Sequence, residues 1–146
     1  MFYQINNQSQ YPEQMTAPMA QELTDAGYKS LKTAEDVENI LDKTEGTTLV
    51  VVNSICGCAA RNARPAAIMA AHNDKVPDNL VTVFAGVDGA AVQKARDFML
   101  PYPPSSPSMA LFKNGKLVHF IERHNIEGRD AKSIAENLKM AFEQYC

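Results

Sequence analysis

Residues 47–53, Thr-Thr-Leu-Val-Val-Val-Asn, form a short β-branched run in which apolar and polar residues do not alternate. A strand with one wet face shows that alternation, whereas unbroken apolarity belongs to a strand covered on both faces. A fold built around this run needs a sheet with a layer on each side, and the flanking sequence has to supply the layers.

It does so in an alternating order. Leu80 to Val87, LVTVFAGV, reads as a second buried strand. Between the two, Ala59 to about His72 is rich in helix formers, with Pro65 expected to kink the helix or to sit in an irregular turn. Asp88-Gly89 leads into AAVQKARDFM, where Val92, Ala95, Phe98 and Met99 share one helical face. Residues 100–108, LPYPPSSPS, hold four of the eight prolines and exclude helix. Met109–Lys113 and Lys116–Arg123 flank Asn114-Gly115, the strongest short hairpin signal. Asp130 opens a last helix whose Ile134, Leu138, Phe142 and Tyr145 face inward.

Upstream, Met15, Met19 and Leu23 recur every fourth residue and predict a helix ended by Gly27. Thr33 with Asp36 predicts a capped second helix with Val37, Ile40 and Leu41 inward and Gly46 as its stop. Residues 1–12 are expected to be loose. The predicted fold is α/β: a βαβαββα core over residues 47–146 with a four-stranded mixed sheet, helices on both faces and two extra N-terminal helices. A length of 146 residues and 45% apolar content fit one such domain.

Charge narrows the partners. Lys and Arg number 14 against 17 Asp and Glu, and no basic cluster marks a nucleic-acid surface. The N-terminus has neither a positive nor an apolar signal region, and no run approaches the ~18 apolar residues of a membrane span. These features predict a cytoplasmic protein without nucleic-acid or membrane partners. Three cysteines, Cys56, Cys58 and Cys146, are too few for the disulfide framework of a small secreted domain.

Two of them stand in Ile-Cys-Gly-Cys, where the first strand gives way to a helix. The N–H groups and dipole at a helix N-terminus favour an anion, and a cysteine there has its pKa lowered toward the thiolate, the nucleophilic form. Gly57 supplies backbone freedom for a small Cys-Gly-Cys ring, whose strained disulfide would be easy to reduce. Burial as small hydrophobes is the plain alternative. A metal site is another, but only Cys146, His72, His119 and His124 remain as further ligands, none at a recognisable spacing. His119 and His124 read as surface or packing residues, and Arg61 and Arg64 as solvated helix-face residues able at most to attract an acidic substrate.

The order strand, cysteine pair, helix, then Ser-Pro, strand and NG hairpin resembles the thioredoxin-like superfamily, with SPSMALFKNGKLV at residues 106–118 similar to its cis-proline segment. VVVNSICGCAA, PSSPSMALFKNGKLVHFIERHNIEG and AFEQYC closely resemble the bacilliredoxins, Cys-Gly-Cys proteins of bacteria that use the thiol bacillithiol. That resemblance extends from residue 17 to the C-terminus. It implies removal of bacillithiol from capped proteins, with Cys56 as the attacking thiol, Cys58 as the resolving thiol, and Gly57 and the Ser106–Pro107 corner shaping the substrate groove. Pro107 would be cis, a form found in only about 5–6% of X–Pro bonds. Cys146 would be an additional thiol of open role, no cofactor or metal would be bound, and bacillithiol would be a co-substrate. Partners would be S-bacillithiolated or disulfide-containing proteins. A general disulfide isomerase or reductase, and a non-catalytic protein binding a soft metal through the CGC motif, are the alternatives.

Overall fold

A computed structural model describes residues 9–146 of the chain. The Thr47–Asn53 run is strand β2, and each of its residues is buried. It lies at the centre of a five-stranded sheet ordered β1-β3-β2-β4-β5, where β1 is Lys29–Ser30, β3 Asn79–Phe84, β4 Ser108–Lys113 and β5 Lys116–Ile121. β1 and β2 run parallel to β3, β4 runs antiparallel to β2, and β5 antiparallel to β4.

The pleat of β2 divides the core. Leu49 and Val51 face a layer containing Leu23 of α1 (Glu13–Thr24), Ala66 and Ala67 of α3 (Arg64–Ala70), and Leu138 and Phe142 of α6 (Ala131–Tyr145). Val50 and Val52 face the other way, onto Val37 and Leu41 of α2 (Ala34–Leu41) and Val92 and Ala95 of α4 (Gly89–Phe98). Covering both faces is what an unbroken apolar strand demands.

The sheet has one strand more than the four expected. Lys29 and Ser30 pair with Val81 and Thr82, and a polar two-residue strand carries no periodicity to reveal it. Because β1 precedes α2, that helix is a crossover within the sheet, and α1 alone precedes the first strand. In α1 the inward positions are Thr16 and Leu23, while Met15 is 42% exposed; the expected methionine face is rotated by about one residue. α2 begins as predicted, with the Asp36 N–H donating to Thr33 Oγ1 at 3.0 Å. It stops at Leu41, short of Gly46. Gly46 instead has φ +98° and turns the chain into β2. Its N–H donates to Asn114 Oδ1 at 3.0 Å and its carbonyl accepts from the Asn114 N–H at 2.8 Å, tying that turn to the NG hairpin. β5 ends at Ile121, and the chain enters a short helix α5, Arg123–Ile126, that the strand pattern had concealed.

Of the N-terminal segment expected to be loose, residues 1–8 lie outside the described residues. At Gln10 the N–H donates to the Gly86 carbonyl at 2.7 Å. Among the described residues, no helix is long and apolar enough to cross a membrane.

Candidate active site

β2 ends at Asn53, and its neighbours end with it: the ladders close at Val52 opposite Ser108 and at Asn53 opposite Phe84. Beyond this point the chain is held by polar contacts. Ser54 N–H donates to Asn53 Oδ1 at 2.8 Å, and Cys56 N–H donates to Ser54 Oγ at 3.0 Å. Gly57 and Cys58 are already helical, and the Ala59 and Ala60 N–H groups both donate to the Cys56 carbonyl, at 3.0 and 3.2 Å. Cys56 therefore stands at the mouth of a helix, where the positive end of the dipole favours a thiolate.

The helix opens through a π-helical turn, Ala59–Ala63, before α3. Pro65 follows at the start of α3, where a widened turn accommodates the missing N–H and the proline ring, as the sequence predicted.

Both thiols are free and half-buried. Burial pushes the Cys56 thiol up, but hydrogen bonds from the Cys58 thiol, the Ser54 hydroxyl and the Ala59 and Cys58 N–H groups outweigh it and bring Cys56 below the ordinary cysteine value. Cys58 moves the other way. Burial, its hydrogen bond to Cys56 and the negative charge on Cys56 raise it, against a smaller opposing pull from the Arg123 guanidinium. One sulfur is prepared as an anion and the next as the proton donor that steadies it, so the pair forms a nucleophile with a second thiol in reserve.

The Ser106–Pro107 peptide is cis and Pro107 is buried. Continuing the β2–β4 register past Val52 and Ser108 sets Pro107 and Ser106 level with Asn53 and Ser54. Arg123, exposed at the start of α5, joins this corner to the thiols: its Nη1 donates to the Ser106 carbonyl at 3.2 Å, its N–H donates to Ser105 Oγ at 3.4 Å, and its positive charge acts on both Cys56 and Cys58. Its Nε pairs with the Glu127 carboxylate one turn on.

Gly57 adopts an ordinary backbone conformation in this dithiol state, so its lack of a side chain matters here for space. A Cβ at residue 57 would sit 3.1 Å from Arg61 Nη2, whose guanidinium lies over the motif. Arg64 contradicts the reading of a solvated helix-face residue. It is 2% exposed, because α1 packs over that flank of α3 and Glu22 of α1 lies 3.2 Å from its Nε.

The sequence reading missed Ser54, Asn53 and Arg123, and misjudged Arg64. Two polar residues closing an apolar run were a signal for the first pair; nothing local marks the arginines. His119 Nε2 pairs with Asn137 Oδ1 at 2.6 Å, His124 approaches Glu122 at 3.6 Å, and His72 is exposed. Among the described residues no group of three or more His, Cys, Asp and Glu is placed to hold a metal ion.

The sequence profile of the family described as "Disulphide isomerase" matches residues 11–146. Similar solved structures include a thioredoxin of Malassezia sympodialis, TM-score 0.57 and 12% identity, covering 82% of this chain and 90% of that one. A mutant thioredoxin of Halobacterium salinarum gives a TM-score of 0.55 at 16% identity, covering 82% and 91%. Fold and dithiol site together define a thiol–disulfide oxidoreductase of the thioredoxin fold.

Within that class the chain belongs to the bacilliredoxin family. It is 55% identical over 134 residues to a bacilliredoxin of Cytophaga hutchinsonii, covering 92% of this chain and 98% of that protein. It is 53% identical over 136 residues to one of Halalkalibacterium halodurans, covering 93% and 94%.

Proposed function

We propose that this protein removes bacillithiol from S-bacillithiolated proteins in the bacterial cytoplasm. The observation that carries the reading is the pair of free, half-buried thiols at the helix mouth with the cis Ser106–Pro107 corner level with the end of β2; the bacilliredoxin relatives supply the substrate class. The Cys56 thiolate attacks the bacillithiol sulfur of the mixed disulfide. The new Cys56–bacillithiol bond forms as the old one breaks, and the target leaves as a thiolate that takes up a proton. Free bacillithiol then attacks the adduct to give bacillithiol disulfide. Alternatively, Cys58 loses its proton and attacks Cys56, releasing bacillithiol and leaving a Cys56–Cys58 disulfide for an external two-electron reductant. The Ser106–Pro107 corner and Gly57, with the Arg61 guanidinium beside it, receive the substrate.

Mixing a Cys58→Ser variant with a bacillithiolated protein tests this. Intact mass is expected to show bacillithiol on Cys56 and a reduced target; an unmodified variant with an unreduced target excludes the route. The family description favours one other reading, a general disulfide isomerase or reductase. Under that reading, insulin or scrambled ribonuclease would be processed as fast as the bacillithiol mixed disulfide.

A further inference from the structure

Beneath the CGC turn lies a polar network that a strand-to-helix junction does not require. Arg64 Nη1 donates to Asn53 Oδ1 at 3.1 Å and to the Ser54 carbonyl at 2.9 Å. Asn53, 1% exposed, uses its Oδ1 for the Ser54 N–H as well and donates from Nδ2 to the Met19 carbonyl at 3.3 Å. Ser54, 7% exposed, accepts the Cys56 N–H with its hydroxyl oxygen at 3.0 Å, which fixes that hydroxyl beside Cys56. Arg64 is therefore linked to Cys56 through one amide side chain and one serine.

Energetics argue that the arginine has a positional task. Burying a guanidinium carries a desolvation penalty of several kcal/mol, and apolar replacements of similar volume often match or exceed a buried ion pair in stability. An aliphatic side chain would seal α1 against α3 without that penalty. What it could not do is grip the Ser54 carbonyl at the first residue past the strand ladders. Arg64 can, because the two N–H bonds of Nη1, fixed in the guanidinium plane, reach both acceptors while Nε faces Glu22.

We propose that Arg64 is a positioning residue for Cys56, acting through Asn53 and Ser54 to hold the Ser54 hydroxyl at the Cys56 N–H and so fix the cysteine at the helix mouth. The consequence for catalysis rests on the reading of Cys56 as the attacking thiol; the positioning itself does not.

The test uses full-length protein carrying Cys58→Ser and Cys146→Ser, so that one cysteine remains and thiolate absorbance titrates it alone. In this background Arg64→Lys keeps the charge and loses the donors fixed in the guanidinium plane. It is expected to raise the Cys56 midpoint by about 0.5–1 unit, a three- to tenfold smaller thiolate fraction at pH below both midpoints. Ser54→Ala is expected to raise it similarly, and the double variant no further than Ser54→Ala alone. The rate of attack on a bacillithiol mixed disulfide should fall at neutral pH and recover above both midpoints, which loss of fold would not reproduce. A folded Arg64→Lys protein with an unchanged midpoint overturns the proposal, as does an additive double variant. If Arg64→Lys does not fold, Arg64→Gln, which keeps one amide donor, carries the same two outcomes. If neither folds, Ser54→Ala decides, since an unchanged midpoint there removes the path by which Arg64 reaches Cys56. A shifted midpoint with no attack on the substrate by any variant would leave the positioning intact and reject the catalytic reading instead.

Discussion

The Cys146 thiol lies beside the side chain of Thr47, the first residue of the strand whose last residue, Asn53, leads to Cys56. The strand's length puts the two sulfurs at opposite poles of the sheet, about 20 Å apart at ~3.3 Å per residue. Cys146 is therefore no third member of the CGC cycle within one molecule. Partial burial raises its thiol, helped by Asp78 and opposed by Thr47, Lys113 and Lys75, so near neutral pH it is also a weak nucleophile. A Cys146→Ser variant is expected to reduce a bacillithiol mixed disulfide at the parent rate, followed by mass spectrometry of quenched samples. Peptide mapping of dilute, oxidised Cys58→Ser protein should yield no intramolecular Cys56–Cys146 disulfide; finding one would contradict the separation.

Arg123 holds the Ser106 carbonyl, and its charge counts among the causes that set Cys58 but not among those that set Cys56. Its charge lowers Cys58, the sulfur that must ionise for intramolecular resolution. Arg123→Gln should slow release of bacillithiol from the Cys56 adduct by roughly two- to tenfold at neutral pH, the thiolate fraction changing tenfold per pKa unit. Because Arg123 is exposed, stability should move by no more than about 0.5 kcal/mol. Rapid-quench measurement of bacillithiol release separates this step from the first attack, and equal slowing of both steps would count against the assignment.

The lowered Cys56 thiol sets a pH dependence of known sign. In Cys58→Ser, Cys146→Ser protein, alkylation of Cys56 should rise with pH with its midpoint below the ~8.5 of a free cysteine. Replacing residue 58 by Ala removes its donor to Cys56 and should move the midpoint up. The same shift is a stability term. A cysteine whose pKa is lower folded than unfolded stabilises the fold fully above the unfolded value, and that contribution is lost as pH falls through the folded value. In the Cys58→Ser, Cys146→Ser background, where no other cysteine titrates, the stability difference between that protein and its Cys56→Ser derivative should therefore grow as pH rises through the folded Cys56 midpoint and hold constant above about 8.5, as read by denaturant unfolding.

The architecture was legible because its signals are local. Unbroken β2 forced a covered sheet, Asn114-Gly115 fixed the hairpin, and Asp130 caps α6 by accepting the Ser133 N–H at 2.8 Å. What escaped depends on tertiary cover or on pairing without periodicity. Lys29–Ser30 is a strand only because Val81 and Thr82 present an open edge, and Arg64 is buried only because α1 folds over it. The site divides the same way. The CGC thiols, and the polar Asn53 and Ser54 beside them, stand at a junction the sequence marks, whereas Arg64 and Arg123 reach that junction from positions that no sequence spacing encodes.

The NG turn permits a stability test that leaves the thiols untouched. Gly115 has φ +80°, and a Cβ there would lie 2.5 Å from the Lys43 carbonyl oxygen, a backbone atom that cannot swing aside. Gly115→Ala combines a left-handed backbone with a steric clash and should cost more than about 1 kcal/mol. Asn114, at φ +53°, already tolerates its conformation and ties Gly46 to the turn; Asn114→Ala should lose that hydrogen bond, at about 0.5–1.5 kcal/mol, together with the asparagine's tolerance of positive φ. Since the turn lies at the Thr47 end of β2, remote from Asn53 and the CGC junction, both variants should melt earlier while the Cys56 titration midpoint stays at the parent value. Thermal unfolding and thiolate absorbance on the same samples check the two halves separately, and a midpoint that moved with the melting temperature would mean that the thiol environment depends on the whole sheet rather than on the residues surrounding it.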